Sequence, residues 1–292
     1  MAGYYVDIEN RTQENDYFRE VLFTGHLSQL IVMSLLPGEE IGLETHPETD
    51  QFVRVEEGKG KAILDGQVYA LKDGSAIIIP AGTEHNIINA SSKWALKIYT
   101  IYTPPEYPLG TIHKTRADAE TYEHEYHPSA TQFQFQISRE LAQRTRAGWP
   151  QIGFGFGQQP YNIEVTNMAG YHADLGKKTE ENEYFREVLF TSQRSQLVVM
   201  SLKPGEEIGL ETYLDTDQFI CIEEGNGNAI LDGLAYELKP GSGIVIPAGI
   251  EHNIINTSST KSLKLHIVYI PPDYADGTIQ ETKSEDSPAS YT

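Results

Sequence analysis

The residues whose types and spacing could do chemistry are few and lie close together. Glu44 and His46 stand two apart in residues 41–46, a run that reads as a strand, so both side chains leave the same face. Gln51 opens the next strand-like run, and His85 opens a later one. Imidazole and carboxylate groups gathered on one face serve either as metal ligands or as a polar pocket satisfied by hydrogen bonds and water. If that face lines the inside of a closed sheet, Gln51 and His85 can converge on the Glu44–His46 pair.

The elements that must position these residues occur twice. YFREVLFT at 17–24 returns unchanged at 184–191, PGEEIGLET at 37–45 returns at 204–212, and EHNIIN at 84–89 returns at 251–256. The offset is 167 throughout, from Tyr4/Tyr171 to Ile112/Ile279, with no insertion or deletion. Repeats of this length are whole domains rather than solenoid units. Within one copy, short runs rich in Val, Ile, Leu and Phe follow one another at 18–23, 28–35, 41–46, 52–56, 61–64, 68–71, 76–79, 85–89 and 96–102. Asp65-Gly66 and Asp232-Gly233 are hairpin signals. Many short strands with hardly a helical period predict an all-β fold, a small closed barrel or sandwich in each copy. The boundaries expected are 1–117 for the first barrel, 118–167 for a segment without counterpart, and 168–292 for the second barrel. Alternating QFQFQ at 132–136 suggests a strand in that segment, residues 138–145 a short helix, and GFGFG at 153–157 turns.

Bulk composition limits the remaining choices. A chain of 292 residues with 39% apolar content has room for two cores. Asp plus Glu is 42 against 22 Lys plus Arg, a formal charge of −20, which repels nucleic acid and anionic lipid. No apolar run has the length of a membrane span, and the single cysteine, Cys221, excludes an internal disulfide and reads as a passive thiol. A soluble cytoplasmic protein acting on a small molecule is the expectation.

With these frames laid out, the chain resembles the cupin superfamily, as a tandem or bicupin protein. One family motif is met by Gly38, Glu44, His46, Gln51 and Gly58, the other by Gly74, Pro80, Gly82, His85 and Asn89. The second copy keeps the spacing with Gly205, Glu211, Tyr213, Gln218 and Gly225, then Gly241, Pro247, Gly249, His252 and Asn256. The resemblance implies two double-stranded β-helix (jelly-roll) barrels and places Glu44, His46, Gln51 and His85 in the family's metal-ligand positions. The family pattern would put His at Glu44 and Glu at Gln51, so the donor types are rearranged here. Two imidazoles with one carboxylate resemble the facial set used for Fe(II), and Gln51 would be a weak fourth donor. One divalent metal is implied, Fe(II) or Mn(II) first, with zinc and nickel as alternatives.

The second copy reads as degenerate. Tyr213 replaces His46, leaving Glu211, Gln218 and His252, and a neutral phenol is a poor ligand. His266, where the first copy has Tyr99, is a candidate substitute ligand if it points inward. Arg54, Lys97, Tyr99 and His266 are the candidate substrate contacts. Against that role, Arg54 reads more strongly as a surface cation, and Lys97 and its counterpart Lys264 more often as solvent-facing groups. Tyr99 and Tyr102 should face opposite ways. His26 and His113 fall in turn-like sequence, and His124 with His127 forms a casual pair without a third partner. Two functional readings stay open. One is a metal-dependent enzyme of dioxygenase or isomerase type working in the first barrel. The other is a non-catalytic ligand-binding or structural bicupin, a pseudo-dimer within one chain that pairs further or stays single.

Overall fold

The computed structural model describes residues 3–125 and 170–285, with the side chains of 123–125 left aside. The calls on QFQFQ, residues 138–145, GFGFG and His127 therefore lie outside the described residues. Within them, each copy folds as two facing antiparallel sheets. In the first barrel a seven-stranded sheet runs in the order Ile112–His113, Arg19–Thr24, Gln29–Leu35, Leu96–Thr103, Asp50–Glu57, Ser75–Ile79 and Tyr171–Asp174. A four-stranded sheet, Glu44–Thr45, Glu84–Asn89, Lys59–Leu64 and Gln67–Lys72, covers its inner face. The second barrel repeats this plan, with Glu211 joined to His252 by an isolated bridge where the first barrel has a two-residue strand.

Alternation along the strands divides the side chains cleanly. On Asp50–Glu57, Val53 and Val55 enter the core of the first barrel, while Phe52 faces the other way. On Leu96–Thr103, Leu96, Ile98 and Tyr102 point inward, whereas Tyr99 and Ile101 point outward. The outward set is also buried. It joins Phe219, Val268 and other residues of the second barrel in an apolar cluster between the barrels. Each fully buried Leu, Ile or Phe there contributes about 1.5–3 kcal/mol, so this contact is a core in its own right. The Asp65-Gly66 hairpin forms as expected, both residues at positive φ (45° and 80°), the signature of a tight turn matched to strand twist.

The repeat boundaries differ from the structural ones. The strand Tyr4–Asp7 pairs with Ser242–Ile246 of the second barrel, and Tyr171–Asp174 pairs with Ser75–Ile79 of the first. Each copy thus lends its leading strand to the other barrel's sheet. The following helices, Ile8–Glu14 and Leu175–Glu181, are capped by Asp7 and Asp174 and bury Ile8 and Leu175 between the barrels. These helices of 7 residues, about two turns, are too short to leave a periodic pattern, and the polar start of the chain hides the first. The run at 41–46 is also less regular than expected. Pairing there falls to Glu44–Thr45, because Gly42 sits at φ 118° and its N–H donates to the Asn86 side chain instead of a strand partner.

Candidate metal centre

The sequence-derived set meets at the inner face of the first barrel. Glu44 lies opposite His85 in the strand pair, and Glu44 Oε1 stands 3.3 Å from His46 Nε2 and 3.4 Å from His85 Nε2. His85 is buried, while Glu44 and His46 keep 20% and 17% of their side chains exposed, so the cluster opens at one end of the barrel. Both rings turn Nε2 toward Glu44 and occupy Nδ1 elsewhere. His85 Nδ1–H donates to the Thr83 carbonyl at 2.9 Å, and His46 Nδ1 faces Glu106 Oε1 at 3.5 Å. For His85 this tautomer leaves the Nε2 lone pair directed at the centre, as a metal ligand needs, and His46 offers the same lone pair once its ring is neutral.

Gln51 is held with its oxygen free. The Thr100 hydroxyl donates to the Phe52 carbonyl at 2.8 Å, so its oxygen accepts the Gln51 amide N–H at 3.1 Å. A second N–H of the same amide reaches the Tyr102 hydroxyl at 3.0 Å. With the NH2 group so engaged, Oε1 has no hydrogen bond. Glu44 Oε1, His46 Nε2, Gln51 Oε1 and His85 Nε2 are all buried and all lack a hydrogen-bond partner. Leaving one such group unpaired costs about 1–3 kcal/mol, and four of them on one donor set fit a cation better than an empty polar pocket. Two neutral imidazole nitrogens, a carboxylate and an amide oxygen suit a divalent first-row ion.

Electrostatics agree with a charged centre. Burial alone would raise the Glu44 carboxyl, but the adjacent His46 and His85 rings hold it well below the usual carboxylate range. Burial alone would lower the His46 imidazole. Glu106 and then Glu44 outweigh it and push His46 up to about 10, so a proton occupies this ring until a metal displaces it.

The second barrel keeps the frame and loses the vacancy in its donors. Ile267 stands where Thr100 does, so nothing equivalent holds the Gln218 amide, and Gln218 Nε2 instead donates to His252 Nε2 at 3.3 Å. His252 Nδ1–H donates to Ile250 O at 2.9 Å, which fills both ring nitrogens, and Glu211 lies 3.9 Å away. Tyr213 shares a hydrogen bond with Tyr274 (3.3 Å) and stacks on His252, and burial pushes its phenol far up. None of the four positions leaves an unpartnered buried side-chain atom among the described residues.

Several other expectations need correction. Arg54, Tyr99 and His266 point into neither barrel's interior and do not face solvent. They lie between the barrels, because each sits on the face of its strand that alternation turns away from its own barrel's core and toward the partner barrel. Arg54 Nη2 reaches Glu223 Oε1 at 2.8 Å, and His266 sits with Nδ1 3.1 Å from Glu223 and Nε2 3.3 Å from the Tyr99 hydroxyl. His266 therefore cannot repair the second donor set. Burial pulls at the Arg54 charge, but Glu223 and Glu56 keep the guanidinium charged, and Arg54 in turn draws Glu223 down to about 2. Cys221, Glu223 and His266 come close enough to resemble ligands, yet Arg54 already neutralises Glu223 there. Lys97 and Lys264 are buried rather than solvent-facing. Each donates to the carbonyl ending the leading helix, Asn15 or Asn182, and to the adjacent Asp16 or Glu183. His113 forms part of a short strand against Arg19, not a turn. Glu106 and Thr100 went unrecognised from sequence, since each acts through a partner more than 45 residues away.

A family model described as "Cupin domain" matches residues 31–102 and 198–269, the two barrels. Over 125 residues the chain is 48% identical to the uncharacterized protein YrkC of Bacillus subtilis, covering 40% of this chain and 65% of that relative's length. Over 245 residues it is 23% identical to quercetin 2,3-dioxygenase of the same organism, covering 79% of this chain and 70% of the relative. Among solved structures, the salicylate 1,2-dioxygenase of Pseudaminobacter salicylatoxidans superimposes with a TM-score of 0.59 at 10% identity, covering 91% of this chain and 83% of that one. At that identity the likeness speaks for the fold alone.

Proposed function

This chain belongs to the cupin superfamily and carries its domain twice, and from that premise we propose that the first barrel is the site of a metal-dependent enzyme acting on a small organic substrate. The carrying observation is the set of four buried, unpartnered donor atoms on Glu44, His46, Gln51 and His85. Glu44 supplies the negative charge, His46 and His85 supply neutral nitrogen, and Gln51 supplies a weaker oxygen fixed by Thr100 and Tyr102. Fe(II) or Mn(II) suits this set best, with zinc and nickel as alternatives. Such an ion, when bound, supplies Lewis acidity toward a substrate oxygen and, as Fe(II), access to O2 chemistry.

The protein's own groups define how a substrate would enter. Glu44 and His46 lie at the exposed end of the cluster, while His85 and Gln51 close its buried end. A small molecule therefore approaches past His46, whose ring packs edge-on against Tyr102 at 5.7 Å. A dioxygenase-like reaction is favoured over an isomerase-like one, because the similarity to quercetin 2,3-dioxygenase covers 79% of this chain, more than one barrel can supply. For the second barrel we propose a structural role, since Gln218 caps His252, and the Ile250 carbonyl and the Tyr274 hydroxyl engage His252 and Tyr213.

Oxygen uptake tests the reading. Chain purified without chelator, then loaded with Fe(II) or Mn(II), is expected to consume O2 with quercetin or smaller phenols only when about one equivalent of metal is bound. Below about 0.2 equivalent with no uptake on titration, the metal reading fails. Bound metal without turnover on any phenol would favour the ligand-binding alternative.

A further inference from the structure

We infer that Glu106 is a positioning residue of this centre, holding the His46 ring through Nδ1 so that Nε2 faces Glu44; the inference rests on the metal reading above. Glu106 Oε1 lies 3.5 Å from His46 Nδ1, on the side of the ring opposite the 3.3 Å contact with Glu44. An imidazole that donates Nδ1–H to a carboxylate is fixed in the tautomer that offers Nε2, and its nitrogen becomes a stronger donor. His85 obtains the same fixing from the Thr83 carbonyl. For His46 the role falls to a side chain.

That side chain is itself held. The Thr49 hydroxyl donates to the same Glu106 Oε1, so this oxygen sits between Thr49 and His46. The backbone beneath is pinned by buried Gln29, whose Oε1 accepts from the N–H groups of Glu106 (3.3 Å) and Tyr107 (3.0 Å) and whose amide donates to Tyr107 O at 2.7 Å. A preorganised carboxylate of this kind is more than a chance surface acid.

The second barrel provides an internal comparison. Gln196 pins the matching loop in the same way, accepting from Asp273 N at 3.3 Å and Tyr274 N at 3.0 Å. Asp273, one methylene shorter, replaces Glu106 in the copy where Tyr213 replaces His46. The loop is common to both copies, while the acceptor and the ring it would orient change together.

Co(II) titration followed by its visible spectrum tests the assignment. Glu106→Ala is expected to weaken Co(II) binding about 10- to 100-fold and to alter the spectrum, as loss of an outer carboxylate does. Glu106→Gln keeps an oxygen acceptor for Nδ1–H and should recover most of the affinity and the wild-type spectrum. Asp273→Ala, the control in the other barrel, should leave both unchanged. Binding by Glu106→Ala within about twofold of wild type, with an identical spectrum, overturns the inference alone. So does a Glu106→Gln variant as weak as Glu106→Ala. A wild-type chain that takes up no Co(II) overturns the metal reading, and this inference with it.

Discussion

The two barrels share strand order, hairpin turns and the spacing of both motifs, yet among the described residues only the first leaves unpartnered donor atoms at the four motif positions. The difference is concentrated in three replacements, His46 by Tyr213, Thr100 by Ile267 and Glu106 by Asp273. The first removes a ligand. The second releases the glutamine amide, which then caps the remaining histidine. The third shortens the group that would orient the lost ring. On the proposed reading, a metal site is lost by changes around the ligands as much as by a change of ligand, since an imidazole or amide is useful only while its other polar atoms are held.

The comparison is broken most directly at the ligands. His46→Ala should abolish tight metal binding, and Tyr213→Ala should leave it unchanged, as read by metal content after desalting. If the two variants bound alike, the asymmetry would be in the wrong place.

A second large effect is expected between the barrels. Arg54→Ala leaves Glu223 buried without its cation, which should destabilise the chain by about 3–5 kcal/mol in denaturant unfolding. A loss below about 1 kcal/mol would mean that water satisfies the carboxylate as well as Arg54 does.

Metal uptake should depend on pH in the first barrel. Because His46 is raised to about 10 in the metal-free protein, binding must expel its proton, whereas Glu44 is already ionised. Between pH 6 and 9 the apparent affinity should rise about tenfold per pH unit, with about one proton released per metal. A flat profile would show that His46 is neutral before metal arrives.

The smallest effect concerns Glu56, whose carboxyl burial raises to about 8 despite the adjacent Arg54. A folded-state value above the unfolded one means the native state holds the extra proton. Stability is therefore full below about pH 4 and declines as pH rises toward 8. Glu56→Gln should flatten that decline and raise stability at pH 8 relative to wild type. Parallel curves for variant and wild type would assign the pH dependence to other groups.

Much of this was legible in the sequence, for reasons that can be named. The repeat is exact in spacing, Asp65-Gly66 admits almost one turn geometry, and Glu44 with His46 must share a face wherever the strand lies. Alternation says that Tyr99 and Tyr102 face apart, but not which of them faces inward. For that reason the sequence points to Arg54, Tyr99 and His266 beside a pocket, whereas they lie between the barrels. Strand exchange was not legible either, because Tyr4–Asp7 finds its partner more than 230 residues away. Glu106 gave no local signal. Only its place beside His46 marks it.

The central claim is that one metal ion binds per chain, in the first barrel. Anomalous scattering at the absorption edge of the bound metal, from crystals grown with Fe(II) or Mn(II), measures this directly. We expect a single peak within about 2.0–2.3 Å of Glu44, His46 Nε2 and His85 Nε2, and none beside His252. A peak at Glu211 and His252, equal peaks in both barrels, or no peak in the first would contradict it.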